Sequence, residues 1–319
     1  MKQTVLVTGA NGFVGRALCN ELARRGYVVR AAVREPLRTV GLPGETVQIT
    51  DIGVNADWSS ALAGVDAVVH LAARVHVMHE RTSNPHAAFR AVNVGATERL
   101  ARAAAAQGVK RLVYVSSIKV NGEGTQPGQP YTPDDVPAPA GPYGISKHEA
   151  EQLLRQLAEE TGLEVVIIRP VLVYGPGVKA NFLSMMHWLH KGLPLPLGAI
   201  RNQRSLVALD NLVDLIVTCL CHPNASNQTF LVSDGEDLST SSLLRRTATA
   251  LGRPARLVPV PVWALRTIAR LLRKEDVAER LCGSLQVDIS KTQELLDWIP
   301  PVSADEALKQ TARHFLANL

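Results

Sequence analysis

The chain has 319 residues, 46% apolar and 20% charged. These are the proportions of a folded globular protein, and they exclude a disordered, collagen-like or coiled-coil chain. The 34 basic and 29 acidic residues leave a formal net charge of +5, which suits an anionic ligand, but no basic run is dense enough to predict nucleic-acid binding.

From the N-terminus, short β-branched runs alternate with segments of helical periodicity. Strands are predicted at residues 4–8 (TVLVT), 28–33, 47–50, 66–71 (DAVVHL), 111–116 (RLVYVS) and 165–169 (VVIIR). The intervening segments repeat apolar residues every 3.6 positions, as at Ala17, Leu18 and Leu22. Strands that are apolar on both faces, alternating with helices, predict the α/β class: a doubly wound parallel sheet of Rossmann type. Helices at 85–107 and 143–161 carry apolar stripes (Ala88, Val92, Leu100; Ala150, Leu153, Leu157). The Gly/Pro segment 121–142 reads as a lid or a flexible connection. After about residue 170 Pro and Gly break the rhythm, with later helices at 210–221, 239–251 (Ser239 as N-cap) and 304–316. The division predicted is a dinucleotide-binding domain over 1–170, carrying the catalytic residues. Residues 171–319 form a smaller mixed substrate region, with some chain returning to the core.

Three features suggest chemistry. TGANGFVG sets Gly9, Gly12 and Gly15 between the first strand and a helix, where glycines let a pyrophosphate approach the backbone and the free N–H groups of the helix start. Arg34 stands at the end of the second strand, where an acid would bind the ribose of NAD; Arg suits a 2′-phosphate, so NADP(H) is expected, with NAD left open by neighbouring Glu35. Of the five tyrosines, only Tyr143 has a Lys four residues on, Lys147 in YGISK. On one helical face the ammonium can lower the phenol's pKa from about 10 toward the working range. Ser116 and Ser117 follow the fifth strand, at the ligand end of such a sheet.

The other signals are weaker. Cys19, Cys219, Cys221 and Cys282 match no zinc or CxxC spacing, so reduced thiols are expected, Cys219 and Cys221 on different sides of a helix. The histidines, among them His70, His76, His79, His187 and His190, do not converge at metal-ligand spacing, and no metal is expected. His70 and Trp188 read as packed side chains. No apolar run is long enough to span a bilayer and MKQTVLVTGA does not resemble a signal peptide, so the expected location is the cytoplasm. Residues 262–274 (VWALRTIARLLRK) read as a helix packed on the C-terminal region, with weak membrane-surface contact as the other reading.

Together these residues resemble the extended short-chain dehydrogenase/reductase family of nucleotide-sugar epimerases, dehydratases and reductases. The motifs run along almost the whole chain: TGANGFVG, Asp51-Ile52, HLAA at 70–73, AVNVGAT around Asn93, YVSS at 114–117, YGISK, RPVLVYGPG from 169, and RSLVALDNLVD from 204. The resemblance implies that Tyr143 is the acid/base, Lys147 its helper and ribose ligand, and Ser117 the second hydroxyl on the reacting oxygen. It implies cofactor contacts at Asn11, Phe13, Val14, Asp51, Ile52, Leu71, Ala72, Ala73, Asn93 and Pro170. It implies substrate contacts at Arg74 and Lys119, a base contact at Asn181 and Phe182, and a diphosphate clamp of Arg204 and Arg280. A homodimer through the two striped helices is implied as well.

There are departures from the pattern. SSIKVNG at 116–122 puts Lys119 and Asn121 where many relatives read SSxxVYG, altering the wall expected to face the sugar, and Ser284 replaces an acid common in 4-epimerases. The closest resemblance is to UDP-4-keto-6-deoxy-N-acetylhexosamine reductases and UDP-sugar 4-epimerases. The expected activity is therefore NADPH-dependent reduction at C4 of such a UDP-4-keto sugar in surface-polysaccharide (O-antigen) synthesis. The alternatives are an NAD-dependent UDP-glucose or UDP-N-acetylglucosamine 4-epimerase and a catalytically silent cofactor-binding protein.

Overall fold

The computed structural model describes residues 2–35, 41–49, 56–75, 84–126 and 128–319. Asp51, Ile52, His76 and His79 lie outside the described residues.

The main sheet has seven strands, all parallel, in the order β3-β2-β1-β4-β5-β6-β9. They are β1 (Thr4–Thr8), β2 (Val28–Val33), β3 (Glu45–Gln48), β4 (Ala67–His70), β5 (Arg111–Val115), β6 (Glu164–Pro170) and, from beyond the first half, β9 (Thr229–Val232). A smaller mixed sheet joins β7 (Leu172–Tyr174), β8 (Arg204–Ala208) and β10 (Asp237–Leu238). The third strand begins two residues before its predicted start, because its register is set by pairing with β2 from Arg30 onward.

Because side chains alternate along a strand, the sheet feeds two cores. Val5 and Val7 pack on one face under α1 (Phe13–Arg24) and α7 (Leu209–Cys221). Leu6, Leu112 and Tyr114 pack on the other under α2 (Ser59–Leu62), α4 (Ala96–Ala106) and α5 (Gly141–Thr161). A third core joins α6 (Ala180–His190), α8 (Thr240–Ala250) and α12 (Ala304–Ala317). The chain past residue 170 thus supplies both a small lobe and, through α7, β9 and α11 (Ser290–Leu296), part of the main sheet and its cover. Ser239 caps α8 as expected, its hydroxyl accepting from Ser242 N at 3.0 Å.

The helix predicted over 85–107 is one unbroken helical run, in which α3 (Pro85–Arg90) and α4 flank a π-helical turn, Ala91–Gly95. Of the stripes on these helices, Leu100, Ala150 and Leu157 are buried in the chain's own core, while Ala88, Val92 and Leu153 stay half-exposed. Segment 121–142 is neither a lid nor a loose connection, because Tyr131 bridges to Val287 and Thr125 N donates to Ser284 O at 2.9 Å.

The helical hairpin α9 (Val262–Leu271) and α10 (Glu275–Cys282) projects from the C-terminal region, and none of α9's residues is buried. The packed helix expected there is therefore packed only in part. Trp188, expected in the core, is 52% exposed. The four cysteines are free, Cys219 buried and Cys221 exposed. Among the described residues no helix is long and apolar enough to cross a membrane.

Candidate active site

The strand order runs outward from β1 through β2 to β3, then returns to β4 on β1's other side. A crevice forms where the order reverses, outside the C-terminal ends of β1 and β4. Gly9, Leu71 and Ala72 line it. Gly9 has φ +67°, and a Cβ there would stand 3.0 Å from Ala72 N. A Cβ on Gly15 would overlap the Gly9 carbonyl oxygen and lie 2.8 Å from Ala10 Cα, so the start of α1 packs directly on the glycine turn. No side chain caps the α1 N-terminus, which leaves its N–H groups for a pyrophosphate. This cradle fits a dinucleotide. Arg34 and Glu35 are both exposed just past β2.

Behind the crevice lies a buried polar chain that sequence reasoning missed. Thr8 Oγ1 accepts from Leu71 N and Ala72 N, each at 3.2 Å, and meets His70 Nδ1 at 2.7 Å. Thr97 Oγ1 donates to Asn93 O at 2.8 Å and meets His70 Nε2 at 3.0 Å. Thr97 therefore accepts from Nε2–H, and Thr8 donates to Nδ1: the network sets the tautomer. Burial, with Lys147 nearby, lowers the His70 pKa to about 3, so the ring is a neutral structural connector. It reads as packed, as expected, and stacks on Tyr114 with centroids 5.7 Å apart.

The π turn explains Asn93. The widened turn carries its side chain to the start of α5. Asn93 Oδ1 accepts from Arg74 N at 2.7 Å, while Nδ2 donates to Arg74 O at 3.0 Å and Ser146 Oγ at 2.9 Å. Ser146 in turn bonds Tyr143 O at 2.8 Å. The Arg74 guanidinium lies 5.5 Å over the Phe89 ring, which meets Tyr143 edge-on. Arg74 is thus part of the wall beside Tyr143.

Lys147 is buried; its Nζ donates to Val115 O at 2.7 Å and Tyr114 Oη at 3.2 Å, and sits 4.3 Å from the Tyr114 ring centroid. Burial lowers its pKa to about 7, partly opposed by Glu151. Ser117 opens a short 3₁₀ turn, Ile118–Val120, and its Oγ accepts from Lys119 N at 3.2 Å. A Cβ on Gly144 would lie 2.8 Å from Lys119 O. Glycine there lets α5 press on this turn and brings the Tyr143 phenol to the Ser117 hydroxyl. The phenol does not behave as its spacing from Lys147 predicts: burial raises its pKa, and the Ser117 hydrogen bond lowers it only in part. An ammonium titrating near 7 is a weakened source of positive charge. Ser116 Oγ is buried without a protein partner, a hydroxyl able to serve a bound ligand.

One helical turn beyond Lys147, Glu151 forms a two-pronged ion pair with Arg169 on β6: Nε–Oε1 is 2.9 Å and Nη2–Oε2 is 2.6 Å, with side chains 0% and 1% exposed. Asn121 Oδ1 accepts from Arg169 Nη1 at 2.9 Å. Asn121 is therefore buried behind the site rather than part of a sugar-facing wall. The available signal was Arg169 itself, a charge inside the apolar run VVIIRP.

The substrate-side residues are more dispersed. Lys119 is half-exposed and pairs with Glu123. Phe182 is corrected: its ring is buried against Tyr174, centroids 5.5 Å apart, and cannot stack on a base; Asn181 beside it is exposed. Arg204 Nη1 donates to Gly283 O at 3.0 Å, just past α10, where Arg280 sits exposed with Nε 3.2 Å from Asp276 O. Pro170 is buried at the end of β6.

The family described as NAD dependent epimerase/dehydratase matches residues 5–233. A Vibrio cholerae protein named UDP-glucose 4-epimerase is 48% identical over 99% of this chain and 96% of its own. An Escherichia coli O157:H7 protein named N-acetyl-alpha-D-glucosaminyl-diphospho-ditrans,octacis-undecaprenol 4-epimerase is 26% identical over 98% of this chain and 96% of its own. A solved structure of MoeE5 in complex with UDP-glucuronic acid and NAD superimposes with TM-score 0.77, at 26% identity, over 99% of this chain and 100% of its own.

Proposed function

The chain belongs to the NAD dependent epimerase/dehydratase family, and from that premise we propose that it is a UDP-sugar 4-epimerase that uses NAD. The reductase expected from the sequence gives way to its alternative. The observation that carries this reading is the 48% identity, over nearly full length, to a protein named UDP-glucose 4-epimerase, joined to the Ser117–Tyr143–Lys147 group beside a dinucleotide cradle. The NADP(H) expected from Arg34 gives way to NAD, supported by the NAD-bound relative; Glu35, next to Arg34 past β2, provides an acid for the ribose hydroxyls. Residues 1–170 would serve mainly the cofactor and 171–319 mainly the UDP-sugar. A homodimer belongs to the proposal too, through the half-exposed Ala88, Val92 and Leu153.

The glycine turn and the α1 N-terminus would hold the pyrophosphate, with Leu71, Ala72 and Ala73 beside it and Lys147 toward the nicotinamide ribose. Bound NAD would take a hydride from C4 of the sugar and return it to the other face. Tyr143 would remove the C4 hydroxyl proton and later give it back. Ser117, whose hydroxyl lies toward that phenol, would hold the same oxygen, and Arg74 over Phe89 closes one wall. Arg204 and Arg280 can grip the diphosphate while the sugar turns.

The test is incubation with UDP-glucose, UDP-galactose and their N-acetyl counterparts under catalytic NAD. Interconversion at C4 is expected. Stoichiometric NADPH consumption with a UDP-4-keto-6-deoxy-N-acetylhexosamine, and no interconversion, would refute it.

A further inference from the structure

We propose that α9 is a docking element for an anionic membrane surface. The inference concerns a face remote from the catalytic group and holds whichever UDP-sugar is the substrate. The motif begins in the sequence: residues 262–274 carry Arg266, Arg270, Arg273 and Lys274 and no acid. Ala264, Ile268 and Leu271 fall at i, i+4 and i+7, one row along α9, and Leu272 follows at its C-cap. Arg266 and Arg270 lie on the opposite side of the helix, and Arg273, with φ +52°, and Lys274 follow in the turn to α10.

In a helix that merely covers a core, the apolar row turns inward. Here it does not. Leu271 is 79% exposed, Leu272 62% and Ile268 52%, while Trp263, at 72%, shares the face of Arg266 and Arg270, three and seven residues on. The main packing partner of α9 is α10, whose Val277 is also exposed. Of the four cations, Arg266 is committed to Glu279, at 3.4 Å.

An exposed apolar row with cations on the other face and at the helix end matches the headgroup boundary of a bilayer: acyl chains take the leucines, and the long guanidinium side chains reach anionic phosphates. A bilayer is the occupant chosen because, with Glu279 taken by Arg266, the exposed cations Arg270, Arg273 and Lys274 outnumber the neighbouring acids Glu275 and Asp276. α10 leads directly to Gly283, whose carbonyl accepts from Asn202 at 2.7 Å and Arg204 at 3.0 Å. A docked α9 therefore holds the Arg204 side of the molecule against the membrane.

The test is co-sedimentation of the full chain with phosphatidylcholine vesicles with and without phosphatidylglycerol. Binding is expected only with the anionic lipid and should be released by salt. Arg270→Gln with Arg273→Gln should lower the partition coefficient roughly thirty-fold, and Leu271→Ser with Leu272→Ser should reduce it by a comparable factor. Both pairs are exposed, so turnover of soluble UDP-sugar should be unchanged and serves as the check on folding. As a second readout needing no surface-weakening variant, phosphatidylglycerol should shift tryptophan emission to the blue, and Trp263→Phe should remove the shift. Equal binding to both lipids, or no response to either pair of substitutions, overturns the proposal. So does self-association that is lost in the leucine variant while the wild type ignores vesicles.

Discussion

Glu151→Gln removes one charge from the buried pair that joins α5 to β6 while keeping shape. Arg169 then keeps Asn121 Oδ1 at 2.9 Å and Pro133 O at 3.5 Å but loses the one carboxylate bonded to it among the described residues. An amide replaces one prong by a weaker acceptor and turns an N–H toward the guanidinium. Breaking a buried pair from one side costs about 3–5 kcal/mol, because a charge is left uncompensated. At the usual entropy of unfolding for a chain of this size, that lowers Tm by roughly 4–8 °C. The double change Glu151→Leu with Arg169→Met removes both desolvation costs and should recover most of the loss. Calorimetry and urea unfolding measure both. A loss below about 1 kcal/mol for Glu151→Gln, or a double variant as unstable as the single, refutes the reasoning.

Tyr143→Phe should lower kcat by about 10²–10⁴ and leave NAD affinity nearly unchanged; retained epimerisation removes the phenol from its role. Gly15→Ala should destabilise the fold by about 1–3 kcal/mol and weaken NAD binding, since the added Cβ displaces α1 from Gly9; an unchanged NAD titration would contradict the cradle. Lys147 titrates near 7 in the folded protein against 10.5 as its ordinary value. Between those values the unfolded chain binds the extra proton, so Lys147 makes stability rise with pH from about 7 upward, by up to about 1.4 kcal/mol per unit. Lys147→Met should lack that rise; parallel pH–stability curves for the two proteins, without added dinucleotide, would refute it.

Much of the fold was legible before any coordinates. Strand runs apolar on both faces fit only a sheet covered twice, and TGANGFVG between strand and helix located the crevice. Tyr143 and Lys147 were legible because four residues is one helical turn. All of these are local regularities of the backbone. Residues 121–142 misled, because a Gly/Pro composition does not reveal that Tyr131 finds Val287 far along the chain.

What the amino-acid order alone determined is the parallel sheet, the glycine turn and the tyrosine–lysine face, because each follows from periods of two and 3.6 and from glycine's lack of a side chain. Only the tertiary structure decided that Asn93 sits in a π turn, that Thr8, His70 and Thr97 form one chain, that Asn121 serves Arg169, and that α9 turns its leucines outward. It also decided the titration of Tyr143 and Lys147. Burial, not spacing, sets the cost of a charge, and burial is a property of the assembled fold.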